Sequence, residues 1–124
     1  MEIKIEKGNV LVRNSTFDDI DQLVQVTAAG FPGFETFTPE HFSSQMERFP
    51  EGQFCVEFDG KIIGACTSMI INSEDFHDGS TYNEITSHGF IRNHTYDGDV
   101  LYGVEVVVHP EYRGLQARQR LYDA

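Results

Sequence analysis

The sequence predicts an α/β or α+β fold, one sheet with helices packed on it, and three observations carry that expectation. Two helical stripes follow a first short strand. A hairpin, QFCVEF and KIIGACTSMII around Asp59-Gly60, comes next. An apolar strand, LYGVEVVV, then turns at Pro110 into the start of a further helix.

The chain of 124 residues is the size of one domain. Folding at that length buries roughly two thirds of the surface, so a core forms without a metal or disulfide staple. Hydrophobic residues make up 40% of the chain, with 10 Phe among them. The formal net charge is −11. That excess of carboxylates argues against a nucleic-acid partner, whose phosphates require Lys and Arg clusters. It suits either a cationic substrate or simple solubility. No apolar run approaches a membrane span, and MEIKIEKGN lacks the apolar core of an export signal, so no membrane association and a cytoplasmic location are expected. Cys55 and Cys66 fall near one another on the two hairpin strands; without export, reduced core thiols are expected.

The first strand is expected at Asn9 to Arg13, where Val10 and Val12 alternate with Leu11 and Arg13. Thr16 is an N-cap candidate, and Asp18 and Asp19 suit the positive end of the helix dipole. Ile20, Leu23, Val24, Thr27 and Ala28 form one stripe on a helix ending near Gly30. After the loop FPGFETF, Thr38-Pro39-Glu40 reads as a cap with proline at the first helical position. Phe42, Met46 and Phe49 give this second helix its buried face, and Pro50 ends it. Asp59-Gly60 is a two-residue turn matched to strand twist. Residues 73–99 form a polar connection of 27 residues, long enough to suspect a functional loop. Its His77, His88 and His94 follow no tight metal-ligand spacing, and no metal is expected. The loop covers an acceptor pocket or is a plain solvated connection. Phe31, Phe34, Phe37 and Tyr102 line that pocket or belong to the core. Residues 101–108 form the last strand, and a helix opens near Leu115.

Two features of the C-terminal stretch carry chemistry. A strand that leads into a glycine-containing turn and a helix N-terminus offers unpartnered amides to an anion, and Arg113-Gly114 sits at that turn. Pyrophosphate suits such a nest; a solvated turn relaxed by glycine is the plainer alternative. Glu105 is a lone carboxylate among Val104, Val106, Val107 and Val108. Burying it unpaired is costly, so it either serves chemistry or faces solvent.

The order of elements together with Val108-His109-Pro110-Glu111-Tyr112-Arg113-Gly114 resembles the GNAT superfamily of acyl-CoA-dependent N-acetyltransferases. FPEGQF, the histidine-bearing loop from Glu84 to Gly89, DGDVLYGVEV and RLYDA resemble the subgroup often fused to a carbon–nitrogen hydrolase domain. The resemblance implies a GNAT-like mixed, mostly antiparallel sheet with helices on both faces, order β-α-α-β-β-β-α, truncated in the third helix. It implies a last strand that carries a bulge and splays from its neighbour, so that the backbone of Val106, Val107 and Val108 pairs with the pantetheine arm of acetyl-CoA. The amides of Arg113, Gly114, Leu115, Gln116, Ala117 and Arg118 would hold the pyrophosphate. Gln116 and Arg118 depart from the small residues of the family pattern. Glu105, eight positions before Arg113, would be the catalytic base, with the Val107 or Val108 amide polarising the thioester carbonyl.

Residues 1–124 are expected to form a single GNAT-like domain lacking its C-terminal half, a fragment in preference to a remnant or a domain completed by a homodimer through the exposed sheet edge. Little or no turnover is expected from the chain alone. The implied function is acetyl transfer from acetyl-CoA to a small-molecule or peptide amine. The alternative is a non-catalytic module that binds CoA or a partner protein.

Overall fold

A computed structural model of the chain describes residues 5–7, 10–77 and 79–115. It shows a mixed α/β fold, a five-stranded antiparallel sheet in the order β1-β2-β3-β4-β5. The strands are β1 (Ile5–Lys7), β2 (Val10–Asn14), β3 (Gln53–Phe58), β4 (Lys61–Ile71) and β5 (Val100–Val108). The helices are α1 (Ile20–Gly30), α2 (Pro39–Arg48) and the short α3 (Tyr82–Thr86). β1 and α3 are additional to the sequence expectation.

Every local signal for the hairpin acts as expected. Asp59 and Gly60 both take positive φ, 51° and 83°, the pair of angles that lets a two-residue turn follow strand twist. Cys55 pairs with Ala65 and Phe54 with Cys66. The one-residue offset therefore turns the two thiols to opposite faces of the sheet. Cys55 joins the cluster under the helices, while Cys66 packs against the cluster on the other face. Both are free, and burial pushes each thiol up to about 11.

The core under the helices contains Leu23 and Val26 of α1, Phe42 and Met46 of α2, Phe49, and Ala65, Met69, Val104 and Val107 of the sheet. Of the expected stripe on α1, Leu23 and Thr27 are buried and Ile20 and Val24 pack half-buried against the core; two positions differ. Val26 is buried and Ala28 exposed. Leu23, Val26, Thr27 and Gly30 are the i, i+3, i+4, i+7 set that meets the sheet. Gly30 is required there because a Cβ would run into Val107 Cγ2.

Asp19 also departs from the simple dipole role. Its carboxylate accepts from Arg13 Nη1 and Nη2 at 2.7 and 2.8 Å and from the Thr16 amide at 2.7 Å. Burial acts to raise this carboxyl, but Arg13 and Thr16 outweigh it and hold it below its ordinary value. The second face of the sheet carries Val10, Val12, Val56, Ile63 and Val108. α1 and α2 pack on the first face; the helix expected beyond Leu115 lies outside the described residues. Among the described residues no helix is long and apolar enough to cross a membrane.

Candidate active site

The site is built around a fault in the ladder between β4 and β5. Thr67 pairs with Glu105 and Ser68 with Gly103, which leaves Val104 as one extra residue. Successive strand residues normally alternate faces, and a bulge breaks that alternation. Val104 and Glu105, though adjacent, both line the same cavity of about 660 Å³ on the helix face. Glu105 shares the helix face with Val107 by ordinary alternation, and the bulge keeps Val104 beside it on the same face. Burial pushes the Glu105 carboxyl up to about 7.

The cavity is also lined by Phe31, Glu35, Thr36, Phe37, His41, Tyr82, Asn83 and His88. The Tyr82 phenol is pushed up to about 12, first by burial and then by Glu105 and Tyr102. One wall is the turn at 87–91, in which Ser87, His88, Gly89 and Ile91 all take positive φ. Helix α2 holds it by three consecutive carbonyls. His41 Nε2 donates to His88 O (3.1 Å), Gln45 Nε2 to Gly89 O (2.9 Å), and Ser44 Oγ to Phe90 O (2.6 Å). Positions 41, 44 and 45 share one helix face, so three successive acceptors meet three stacked donors.

His41 is held in one neutral tautomer. The Thr38 amide donates to its Nδ1 at 3.0 Å, which leaves the proton on Nε2 for His88 O. The ring stacks between Phe37 and Phe90, at 5.2 and 4.0 Å between centroids. Burial lowers its affinity for a proton, with the His88 carbonyl acting the other way.

Among the residues singled out from the sequence, Glu105, Phe31 and Phe37 reach the cavity. Phe34 is 77% exposed, and Tyr102 packs against the core. The three loop histidines are not brought together: His88 lines the cavity, His94 stacks on Phe49 and accepts from the Ile70 amide, and His77 accepts from the Gly79 amide. Val107 belongs to the core under the helices, while Val106 and Val108 pack on the opposite face.

The expectation that the last strand splays from its neighbour is corrected in one respect. β5 stays paired with β4 on both sides of the bulge, from Val100 to Val108. Its other edge, the end of the sheet, has no strand beside it among the described residues. The His109 amide donates to Ile63 O at 2.8 Å, and Gly64 faces Val108. By the alternation of an antiparallel ladder, the Val107 amide points to β4, and those of Val106 and Val108 point to the open edge.

The turn after β5 is a 3-10 helix, Pro110–Leu115, which contains Arg113, Gly114 and Leu115. His109 already occupies two of its amides: Nδ1 accepts from Glu111 N (3.2 Å), and the carbonyl accepts from Tyr112 N (2.9 Å). Gln116, Ala117 and Arg118 lie outside the described residues.

Sequence reasoning missed Glu35, Thr36, His41, Tyr82 and Asn83 as cavity residues. A signal existed for Tyr82 and Asn83. Thr81 and Glu84 form a reciprocal cap, Thr81 Oγ1 accepting from Glu84 N and Glu84 Oε1 from Thr81 N. The T-x-x-E pattern marks such a helix start.

Known proteins agree with this architecture. The loading GNATL domain of CurA from Lyngbya majuscula superposes with a TM-score of 0.78 at 23% identity, over 92% of this chain and 55% of that one. The GphF GNAT-like decarboxylase, solved with isobutyryl-CoA, gives 0.77 at 20% identity, over 90% and 55%. Among curated proteins, the Bacillus subtilis (strain 168) "Probable hydrolase YhcX" is 46% identical over 115 residues, which is 93% of this chain but 22% of that protein. The "Uncharacterized N-acetyltransferase YkwB" of the same organism is 33% identical over 108 residues, 84% of this chain and 48% of that protein. The chain thus spans less than half the length of both curated relatives. The sequence profile of the Acetyltransferase (GNAT) family matches residues 20–124, and the chain belongs to that family.

Proposed function

We propose that this domain transfers an acetyl group from acetyl-CoA to an amine, with Glu105 as the base. The observation that carries this reading is Glu105, whose carboxyl is pushed up to about 7 by burial and lines the cavity of about 660 Å³ beside the bulge at Val104. An amine with a pKa near 10.4 is neutral only on the order of one part in a thousand at pH 7, so a base that takes its proton offsets a large part of the barrier. The Val108 amide at the open edge of β5 is the donor to the thioester carbonyl as negative charge develops there. Amides of the turn from Arg113 onward would take the pyrophosphate. The GphF complex with isobutyryl-CoA supports a CoA thioester as the co-substrate of this fold.

A second reading is a binding module without turnover, favoured by Gln116 and Arg118, which stand where the family pattern has small residues.

Calorimetry with acetyl-CoA, together with amine-dependent thiol release, separates the two. Saturable binding and release that falls about 10²- to 10⁴-fold in Glu105→Gln, at unchanged cofactor affinity, is the expected result for the enzyme. The rate should rise with pH through about 7 and level above it, because the base acts in its ionised form. Binding without release supports the module. No binding at millimolar cofactor overturns both.

A further inference from the structure

The charge distribution inside the cavity is one-sided. Among the described residues its lining includes two carboxylates, Glu35 and Glu105, and no Lys or Arg. Two imidazoles also line it: His41, whose ring nitrogens are both engaged in the neutral form, and His88. Phe31, Phe37 and Tyr82 supply aromatic surface, which attracts ammonium groups through the negative faces of the rings. The chain as a whole carries −11 and raises the local concentration of cations.

The two carboxylates are not equivalent. Glu105 comes from the bulged strand. Glu35 comes from the loop between α1 and α2, is exposed, and makes no hydrogen bond or ion pair among the described residues. The reacting amine occupies Glu105 in the proposed chemistry. Glu35 is then a second anionic contact with no cationic partner among the described residues. A volume of about 660 Å³ holds considerably more than a short monoamine.

Resting on the acyl-transfer reading above, we infer that the acceptor carries two positively charged nitrogens, and that Glu35 is the specificity-determining residue that holds the one that does not react. The chemistry shared by the acceptors is an alkyl chain bearing an amine and a second cationic nitrogen, either a free diamine or a basic side chain near a peptide amine.

The test is binding in the absence of cofactor, so it does not depend on turnover. A ladder of α,ω-diamines is titrated against matched n-alkylamines at a pH above the Glu105 titration, followed by calorimetry or ligand-observed NMR. The best diamine is expected to bind about tenfold more tightly than its matched monoamine. Glu35→Gln should remove that advantage, whereas Glu35→Asp should retain it and favour a diamine longer by roughly one methylene. Peptides with an N-terminal lysine, run alongside, separate the two sources: tighter binding than free diamines assigns the peptide, and weaker binding the small molecule. Equal affinities for diamine and monoamine, a preference that survives Glu35→Gln, or no saturable binding of either overturns the inference. Diamine selectivity without thiol release would leave this inference standing and sink the acyl-transfer reading; release with no selectivity would do the reverse.

Discussion

The turn at 87–91 is held by helix α2, whose donors stand 44 to 47 positions away, whereas the turn after β5 is held by its own first residue, His109. The first is a wall of the cavity, with Ile91 and Thr86 fully buried beside it. The second runs along the end of the sheet, and Pro110 and Glu111 are exposed. One is fixed by tertiary contacts and shares the stability of the core. The other takes its described hydrogen bonds locally, and its Tyr112 packs on Phe58 and the cluster of the second face. The cavity wall is therefore tied to a distant helix, while the hydrogen bonds described for the turn after β5 come from the adjoining His109.

The largest expected effect comes from cutting the long-range grip. In Gln45→Leu the Gly89 carbonyl and the Thr67 hydroxyl lose their buried partner. A loss of about 2–4 kcal/mol is expected in chemical denaturation, with faster amide exchange through 89–91. Gly89→Ala tests the same wall from the other side. Its φ is +88°, and a Cβ would lie 2.6 Å from Phe37 Cε1. A cost of about 2 kcal/mol is expected, read by thermal melting and by weaker acceptor binding.

Glu105→Gln sharpens the comparison through pH. The folded protein holds this carboxyl at about 7, above its ordinary value of 4.5. The stability tied to the protonated form is complete below 4.5 and is lost as pH rises through 7. Glutamine does not ionise, so the variant should exceed wild type by on the order of 1 kcal/mol at pH 8, discounted for solvent screening, and match it at acid pH. Denaturation curves at the two pH values check this. His109→Ala is expected to have the smallest effect, about 0.5–1 kcal/mol, because the bonds it removes are solvated. A larger loss there than in Gln45→Leu would reverse the contrast between the two turns.

What could be read from the sequence follows the same division. The hairpin bounds, the Thr38-Pro39 helix start and the Phe42, Met46 and Phe49 face are local patterns, and the structure reproduces them. The motif around Pro110 to Gly114 is local too, and it led to the correct family. Glu105 was visible because a charge stands out among valines. The bulge beside it was expected only from the family resemblance and not from the strand's own composition, since a bulge is a property of pairing with Thr67 and Ser68. The cavity wall escaped for the same reason. His41, Ser44 and Gln45 look like ordinary polar helix residues until the carbonyls of 88–90 arrive from a distant loop. Val26 took the place of Ala28 because packing against the sheet, not periodicity alone, selects the buried stripe.

The placement of the two cysteines has a practical consequence. Separated by the thickness of the sheet, they cannot bridge within one molecule, and at neutral pH almost none of either sulfur exists as the reactive anion. A colorimetric thiol reagent will therefore meet a quiet protein background in the proposed release assay.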